Sequence, residues 1–310
     1  MQPPVFIVGA LRSGTTLLRL MVDHHPDVCI FGEFEYAVRW IEDGTLPSLE
    51  EYHRQLRGDR VFRAHGLEID PSFDYQGLVQ SFLEQATQPS GKPIRGAAIH
   101  SNFHELPELF PDAKLIQLLR DPRDVSRSCI GMGWVGNVYY GTRYWMEPVL
   151  RWRALEPSLP ASQKHELKYE DLIRDPVTEL TKICHFLGID FDDAMLDYPG
   201  NSTYSAPDQS LVEQWRRQLS DEEIMWVESV CSPLMDEVGY APAHSKPRRP
   251  TGLTAAKLAI QNRRSRVQRN IDVYGLPLYV SWQVGKRMPR NPIQEKILRR
   301  VQDVDTSRLK

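Results

Sequence analysis

The sequence has no long apolar run, and this excludes one class of protein at once. The longest uninterrupted apolar run, residues 5–11 with glycine included, has seven members. A helix that crosses a bilayer needs about 20 apolar residues, so we expect no membrane span. The first residues also lack the cationic start and small-residue cleavage site of a secretory signal. We therefore expect a cytoplasmic protein.

Cysteine is scarce as well. The chain contains four cysteines, and none of them forms a CxxC pair. Disulfide frameworks and zinc sites use closely spaced cysteines, so the sequence predicts reduced thiols and no metal site. Internal repeats and low-complexity tracts are also missing. With 25% charged residues the composition is that of an ordinary globular protein.

The charge is unevenly distributed along the chain. Residues 1–240 hold 37 acidic and 22 basic residues, whereas residues 241–310 hold 4 acidic and 16 basic residues. We predict a main domain over residues 1–241, a proline-rich linker over residues 242–252 and a basic, mainly helical extension over residues 253–310. The extension is a solvated helix, or it contacts an anionic membrane surface, a polyanionic acceptor or another subunit. Nucleic acid is not expected as a partner, because the main domain is acidic.

Short apolar runs alternate with helical patterns. Residues 5–8 and 114–119 are typical of buried parallel strands, and a helical pattern follows each of them. A third strand is predicted over residues 166–169, before a helix over residues 176–187. This alternation predicts an α/β fold, with a central parallel sheet flanked by helices.

A phosphate-binding loop pattern follows the first strand. Gly9 and Gly14 are separated by four residues, a spacing that lets successive backbone N–H groups point at an anion. Thr15 stands where nucleoside-triphosphate versions of this loop carry a lysine, which argues against triphosphate hydrolysis. Arg12 supplies a cation inside the loop instead. The remaining predicted ligand-binding residues of the loop are Ser13, Gly14, Thr15 and Thr16.

A second candidate anion site follows the second of these strands. Arg120 ends the strand, and Asp121 and Pro122 are typical of a helix start. Arg120 and the hydroxyl group of Ser128 could together bind a second anion. The alternative is local capping by Asp121 with solvated arginines at 123 and 127. Two anion sites after two strands predict a ligand with two separated phosphates.

Together these motifs resemble the sulfotransferase family that uses 3′-phosphoadenosine 5′-phosphosulfate (PAPS). Residues 11–18 resemble its 5′-phosphosulfate loop, and residues 115–128 resemble its 3′-phosphate motif. Residues 168–189 and 214–240 are similar to segments of many bacterial members. The resemblance implies the P-loop-like fold of that family. It also implies sulfuryl transfer to a hydroxyl or amine, release of adenosine 3′,5′-bisphosphate and no metal requirement.

The resemblance also implies catalytic roles. Arg12 and the loop N–H groups would stabilise the leaving phosphate. In tyrosylprotein and heparan sulfotransferases the base is a glutamate after the first helix, which makes Glu33 the predicted base here and leaves Glu35 open. The cytosolic small-molecule branch uses a histidine, and His100 occupies the comparable place. Two weaker candidates for a later contact with the donor are Ser202 and Ser205.

The acceptor is left open by the sequence. Residues 131–145 hold four glycines and five aromatic residues, a composition that suits an acceptor-binding loop or rings packed beside the nucleotide. The expected acceptor is a small molecule, sugar, lipid or peptide, and a homodimer is possible. Two alternative functions remain: a P-loop-type kinase or nucleotide hydrolase, and a non-catalytic nucleotide-binding scaffold.

Overall fold

A parallel β-sheet forms the centre of the molecule. The computed structural model describes residues 2–201, 207–287 and 292–306. Its sheet has the strand order β2-β3-β1-β4-β5, and every pair of neighbours is parallel. The strands are β1 (Val5–Gly9), β2 (Val28–Glu33), β3 (Ile94–Ile99), β4 (Lys114–Leu119) and β5 (Lys164–Lys168). The predicted α/β class is confirmed.

Helices connect the strands and cover the sheet. In the first half of the chain they are α1 (Thr15–Asp23), α2 (Leu49–Gly58), α3 (Arg60–His65), α4 (Tyr75–Thr87), α5 (Leu106–Leu109), α6 (Pro122–Gly131), α7 (Val138–Gly141) and α8 (Arg143–Leu155). In the second half they are α9 (Tyr169–Arg174), α10 (Pro176–Leu187), α11 (Trp215–Gln218), α12 (Asp221–Glu237), α13 (Gly252–Gly285) and α14 (Pro292–Thr306).

The sequence pattern predicts β1, β4 and, over residues 166–169, the edge strand β5, but not β2 and β3. Strands β1 and β4 are almost completely buried, as their apolar runs suggest. Strand β3 contains Arg95 and Gly96, which interrupt its apolar pattern. Gly96 is required there, because a Cβ atom would lie 1.9 Å from the carbonyl oxygen of Val5 on β1. Strand β2 lies at the sheet edge, and its pairing with β3 is irregular between Phe31 and Glu33.

Side-chain caps determine where several helices begin. The Asp121 side chain accepts a hydrogen bond from the backbone of Arg123 at the start of α6. A capping box between Ser220 and Glu223 starts α12. These caps satisfy N–H groups that have no partner within the helix, and the helix start at Asp121 was expected from the sequence.

The C-terminal extension is helical and packs on the main domain. Helix α13 is kinked at Gly275, whose φ of 72° is not helical. Before the kink, α13 contacts the α6–α7 connection through a hydrogen bond from the Asn137 side chain to the Leu258 carbonyl (2.9 Å). Helix α14 reaches the α2–α3 corner, where Gln302 donates to the Gly58 carbonyl (2.6 Å). No helix in the described part of the chain is long and apolar enough to cross a membrane.

Candidate functional site

The loop between β1 and α1 is a tight turn with left-handed backbone at two positions. Arg12 has a φ of 72° and Gly14 a φ of 95°. A Cβ atom at position 14 would lie 2.4 Å from the ring of Tyr169, so only glycine fits this close approach. The Ser13 hydroxyl is buried and has no hydrogen-bond partner within the described residues. Buried polar groups normally have partners, so this hydroxyl is suited to a ligand.

The two predicted anion sites form one continuous surface. The guanidinium group of Arg120 lies over the ring of Tyr169 at 4.1 Å. It also donates hydrogen bonds to the carbonyl oxygens of Arg12 (3.2 Å) and Leu211 (3.0 Å). The Arg12 Nε donates to the Ser128 hydroxyl (3.0 Å). The sites meet because β1 and β4 are parallel neighbours, and the loops at their carboxyl ends share one sheet edge.

Arg123 is buried in a network of ion pairs. The alternative in which this arginine is solvated is therefore wrong at position 123. Its side chain is buried and pairs with Asp121 (2.7 Å) and Glu228 (2.8 Å). The guanidinium carbon also lies 3.5 Å from the ring centre of Trp215. A buried cation needs such compensation by carboxylates and hydrogen bonds. The group therefore joins α6, α11 and α12 behind the Arg120 site.

Asp124 lies one residue further along α6 and anchors the segment that contains Trp215. Its Oδ1 accepts a hydrogen bond from the Trp215 backbone (2.8 Å), whereas its Oδ2 has no partner within the described residues. Burial raises the pKa of the Asp124 carboxyl to about 6, although the Arg120 charge opposes this shift. An acidic group with such a pKa changes charge close to neutral pH.

The candidate bases take different positions. Glu35 is buried just after β2, and its Oε1 accepts a hydrogen bond from the His100 backbone (3.0 Å). The His100 Nε2 lies 4.0 Å from the same oxygen, and its Nδ1 lies 3.5 Å from the Thr15 hydroxyl. Burial raises the pKa of the Glu35 carboxyl. Glu33 is exposed at the end of β2. The structure thus brings His100 and Glu35 together beside the first loop.

A cavity of about 290 Å³ opens beside His100. Glu33 is not one of the described residues that line this cavity. Of the aromatic segment 131–145, Tyr144 lines the cavity, whereas Trp145 is buried and donates to the Arg120 carbonyl (2.8 Å). The full lining is Leu11, His100, Ser101, Asn102, Arg143, Tyr144, Glu147, Pro148 and Arg151.

Sequence reasoning missed three residues of this site. Tyr169 follows β5 directly, and its place at a strand end was an available signal. Trp215 and Arg143 lie in the segments 214–240 and 131–145 that the sequence singled out, but their places in the site depend on tertiary packing. The two weaker candidates, Ser202 and Ser205, lie outside the described residues.

Comparison with known proteins identifies relatives of the chain. Protein-tyrosine sulfotransferase 1 of Danio rerio is 27% identical over 274 residues, which cover 79% of this chain and 74% of the relative. Protein-tyrosine sulfotransferase A of Caenorhabditis elegans is 25% identical over 284 residues, which cover 83% and 72% of the two chains.

A similar fold occurs in the sulfotransferase domain from the Synechococcus PCC 7002 olefin synthase. The TM-score is 0.52 at 23% identity, over 74% of this chain and 96% of that domain. The model of the sulfotransferase family matches residues 3–193, which is more than half of the chain. The chain therefore belongs to the sulfotransferase family, and its reaction class is sulfuryl transfer.

Proposed function

We propose that this protein transfers the sulfuryl group of PAPS to a hydroxyl group. The observation that carries the proposal is the meeting of Arg12, Arg120 and Ser128 where the loops after β1 and β4 adjoin. One ligand with two separated phosphates can contact both loops at once. The 5′-phosphosulfate is assigned to Arg12, Ser13, Gly14, Thr15 and Thr16, and the 3′-phosphate to Arg120 and Ser128.

Buried polar atoms support the fit of this donor. The Ser13 hydroxyl and the Arg120 Nε are both buried without a partner in the described part of the chain. An unsatisfied buried polar group costs roughly 1–3 kcal/mol. Both are hydrogen-bond donors, and phosphate and sulfate oxygens accept hydrogen bonds. A bound donor nucleotide would therefore satisfy groups that the protein itself leaves unpaired.

The proposed reaction is an in-line displacement at sulfur. The acceptor oxygen forms a bond to sulfur while the bond from sulfur to the bridging oxygen breaks, and that electron pair stays on the 5′-phosphate. The acceptor proton passes to a base. Arg12 and the loop N–H groups are placed to stabilise the charge that grows on the leaving phosphate. Positioned donors of this kind typically contribute about 3–4 kcal/mol each to lowering the barrier.

For the base, we favour His100 over the glutamate predicted from the sequence. His100 lines the cavity and approaches the first loop, whereas Glu33 is exposed at the end of β2. Glu35 contacts the backbone of His100 and is assigned as a positioning residue. Glu33 remains the competing candidate.

Calorimetric titration with adenosine 3′,5′-bisphosphate tests the donor site. We expect micromolar, magnesium-independent binding that is lost in Arg12→Ala and Arg120→Ala. Arg95→Ala is the matched control, because Arg95 lies near the start of β3 and pairs with Glu84 on α4. Clear binding of Mg-ATP without binding of the bisphosphate would overturn the proposal in favour of a kinase. Binding of neither ligand would favour the scaffold alternative.

Comparing three variants identifies the base. We expect His100→Asn to lower kcat by about 10²–10⁴ while the Kd for adenosine 3′,5′-bisphosphate stays unchanged. Glu35→Gln should have a smaller effect, because Glu35 acts through His100. Glu33→Gln should retain activity. A large loss in Glu33→Gln with little change in His100→Asn would return the role to Glu33. A phenol is the first type of acceptor to test, because the relatives are named as protein-tyrosine sulfotransferases.

A further inference from the structure

The cavity beside His100 is small. Its volume of about 290 Å³ lies at the lower end of the range for ligand pockets, about 300–1,000 Å³. About 150 Å³ is enough for a benzene ring, so the cavity has room for a six-membered ring with its substituents. Leu11, at one end, directly precedes Arg12 of the phosphosulfate loop. A hydroxyl group in the cavity would therefore be close both to the sulfuryl group and to His100.

Arg143 provides an unneutralised cation in the cavity wall. It has no carboxylate within 4 Å among the residues that the structure describes. Its Nη2 donates to the Tyr144 hydroxyl (2.9 Å), and its guanidinium group lies over the Tyr144 ring at 4.7 Å. The Tyr144 ring in turn lies 5.3 Å from that of Trp134. These contacts hold the guanidinium group in place without neutralising its charge.

The second cation of the cavity is already paired. Arg151 lies 3.3 Å from Glu147 on the preceding turn of α8, and its Nη1 contacts His104 (2.8 Å). The Glu147 side chain is 70% exposed. Arg143, Arg151 and Glu147 together leave the cavity with one net positive charge. An acceptor with one negative charge would complement it.

We propose that this cavity is the acceptor site and that it selects a ring-bearing hydroxyl acceptor with an anionic group, which Arg143 binds. The inference rests on the proposed function and adds the acceptor class to it. The guanidinium group can form two parallel hydrogen bonds with a carboxylate, which fixes orientation as well as affinity. With the anionic group at Arg143, the hydroxyl group at the other end of the ring faces His100. The anionic group takes no part in the chemical step.

Three phenols of similar size test this selection. They are 4-hydroxyphenylacetate, 4-hydroxyphenylethanol and tyramine, which are anionic, neutral and cationic at pH 7. With PAPS as donor, we expect kcat/KM to be about tenfold higher for the anionic phenol than for the neutral one. The cationic phenol should be the poorest acceptor. The measured quantity is the ratio of kcat/KM between the anionic and neutral phenols.

Two variants should shift this ratio in opposite directions. Arg143→Gln removes the free cation, so the ratio should fall to about 1. Glu147→Gln releases Arg151 from its carboxylate, so the ratio should rise above that of the unmodified protein. A general disturbance of α8 would not produce opposite shifts from two residues on neighbouring turns.

Titration with adenosine 3′,5′-bisphosphate separates failure of this inference from failure of the proposed function. If the unmodified protein does not bind the bisphosphate, the proposed function itself fails. If it binds, three results overturn the acceptor inference alone: a preference for the neutral or cationic phenol, an unchanged ratio in Arg143→Gln, or turnover of none of the three. Loss of bisphosphate binding in Arg143→Gln would assign Arg143 to the donor site and also overturn it.

Discussion

Asp124 is a carboxylic acid that the fold holds in an unfavourable environment. It is 1% exposed, and one of its oxygens has no partner within the described residues. Burial raises its pKa to about 6, above the model-peptide value of 3.8. The folded state therefore binds a proton more tightly than the unfolded state does. The resulting contribution to stability is complete below about pH 4 and is lost as the pH rises through 6.

Replacing Asp124 with asparagine should remove this pH dependence. We expect the free energy of unfolding of the unmodified protein to fall, relative to Asp124→Asn, by up to roughly 3 kcal/mol between pH 4 and pH 8. Urea unfolding at several pH values measures the difference. Asp112→Asn, at an exposed position, is the control. A constant difference between protein and variant across this range would contradict the prediction.

Gly14 allows a prediction that links backbone conformation to the proposed donor binding. A methyl group at this position would meet the Tyr169 ring, on which Arg120 stacks. We expect Gly14→Ala to weaken binding of adenosine 3′,5′-bisphosphate by more than about tenfold, or about 1.4 kcal/mol. Gly44→Ala is the matched control, because Gly44 also has a positive φ (76°) but has open space around it. Equal affinity in the two variants would show that the contact with Tyr169 is unimportant.

At the scale of elements, a histidine attaches the proline-rich linker to α12. Glu228 on α12 accepts hydrogen bonds from the backbone of Ala243 (2.8 Å) and of His244 (2.9 Å). The His244 ring adds contacts to Glu228 (2.8 Å) and to Asp221 (3.1 Å). The hydrogen bond to Glu228, together with both carboxylates, raises the pKa of the imidazole. Charged His244 thus stabilises the attachment, which weakens as the pH rises through the raised pKa.

Hydrogen exchange of the linker should therefore depend on pH. After correction for intrinsic exchange rates, we expect residues 242–250 to lose protection as the pH increases from 6 to 9. In His244→Gln the protection should be lower at pH 6 and should change little across this interval. His185→Gln, at an exposed position on α10, is the control. If this control and His244→Gln behave alike, the imidazole does not hold the linker.

At the scale of the whole molecule, the basic extension is part of the architecture that surrounds the site. Helix α13 lies against the α6–α7 connection, where the Asn262 side chain accepts a hydrogen bond from the Gly136 backbone (2.8 Å). That connection leads through α7 into α8, which carries Arg143 and Arg151 of the cavity. The basic charge of residues 241–310 is opposite to that of the acidic main domain. The hydrogen bond and the opposite charges both favour packing of α13 on the main domain.

Loosening this contact should be detectable at a distance from the mutation. We expect Asn262→Ala to lower stability by about 1 kcal/mol, the usual value of one hydrogen bond, and to speed hydrogen exchange in residues 131–137. Gln268→Ala, on the same helix, removes a side chain that bonds within α13 instead and should leave this exchange unchanged. Faster exchange of the same residues in both variants would indicate a general loss of α13 packing.

Three of the five strands could be predicted from local sequence patterns, with β5 placed at residues 166–169 instead of Lys164–Lys168. Strands β1 and β4 were recognised because both faces are buried and their sequences are nearly continuous apolar runs. Strand β3 was missed because Gly96 makes room for β1, which is a contact between strands rather than a local preference. The division into domain, linker and extension stays a prediction, as do the cytoplasmic location and the homodimer.

The sequence by itself determined the two candidate anion-binding loops and the sulfotransferase resemblance. Each loop is a short strand-turn-helix segment, in which glycine spacing, an arginine and a helix start specify the backbone within about ten residues. Only the tertiary structure decided that Glu35 contacts His100, 65 residues away, and that Arg143 shares a cavity with His100. The strand order β2-β3-β1-β4-β5 places β3 between β2 and β1. Glu35, His100 and the first loop therefore meet at one sheet edge, an arrangement that no local sequence pattern encodes.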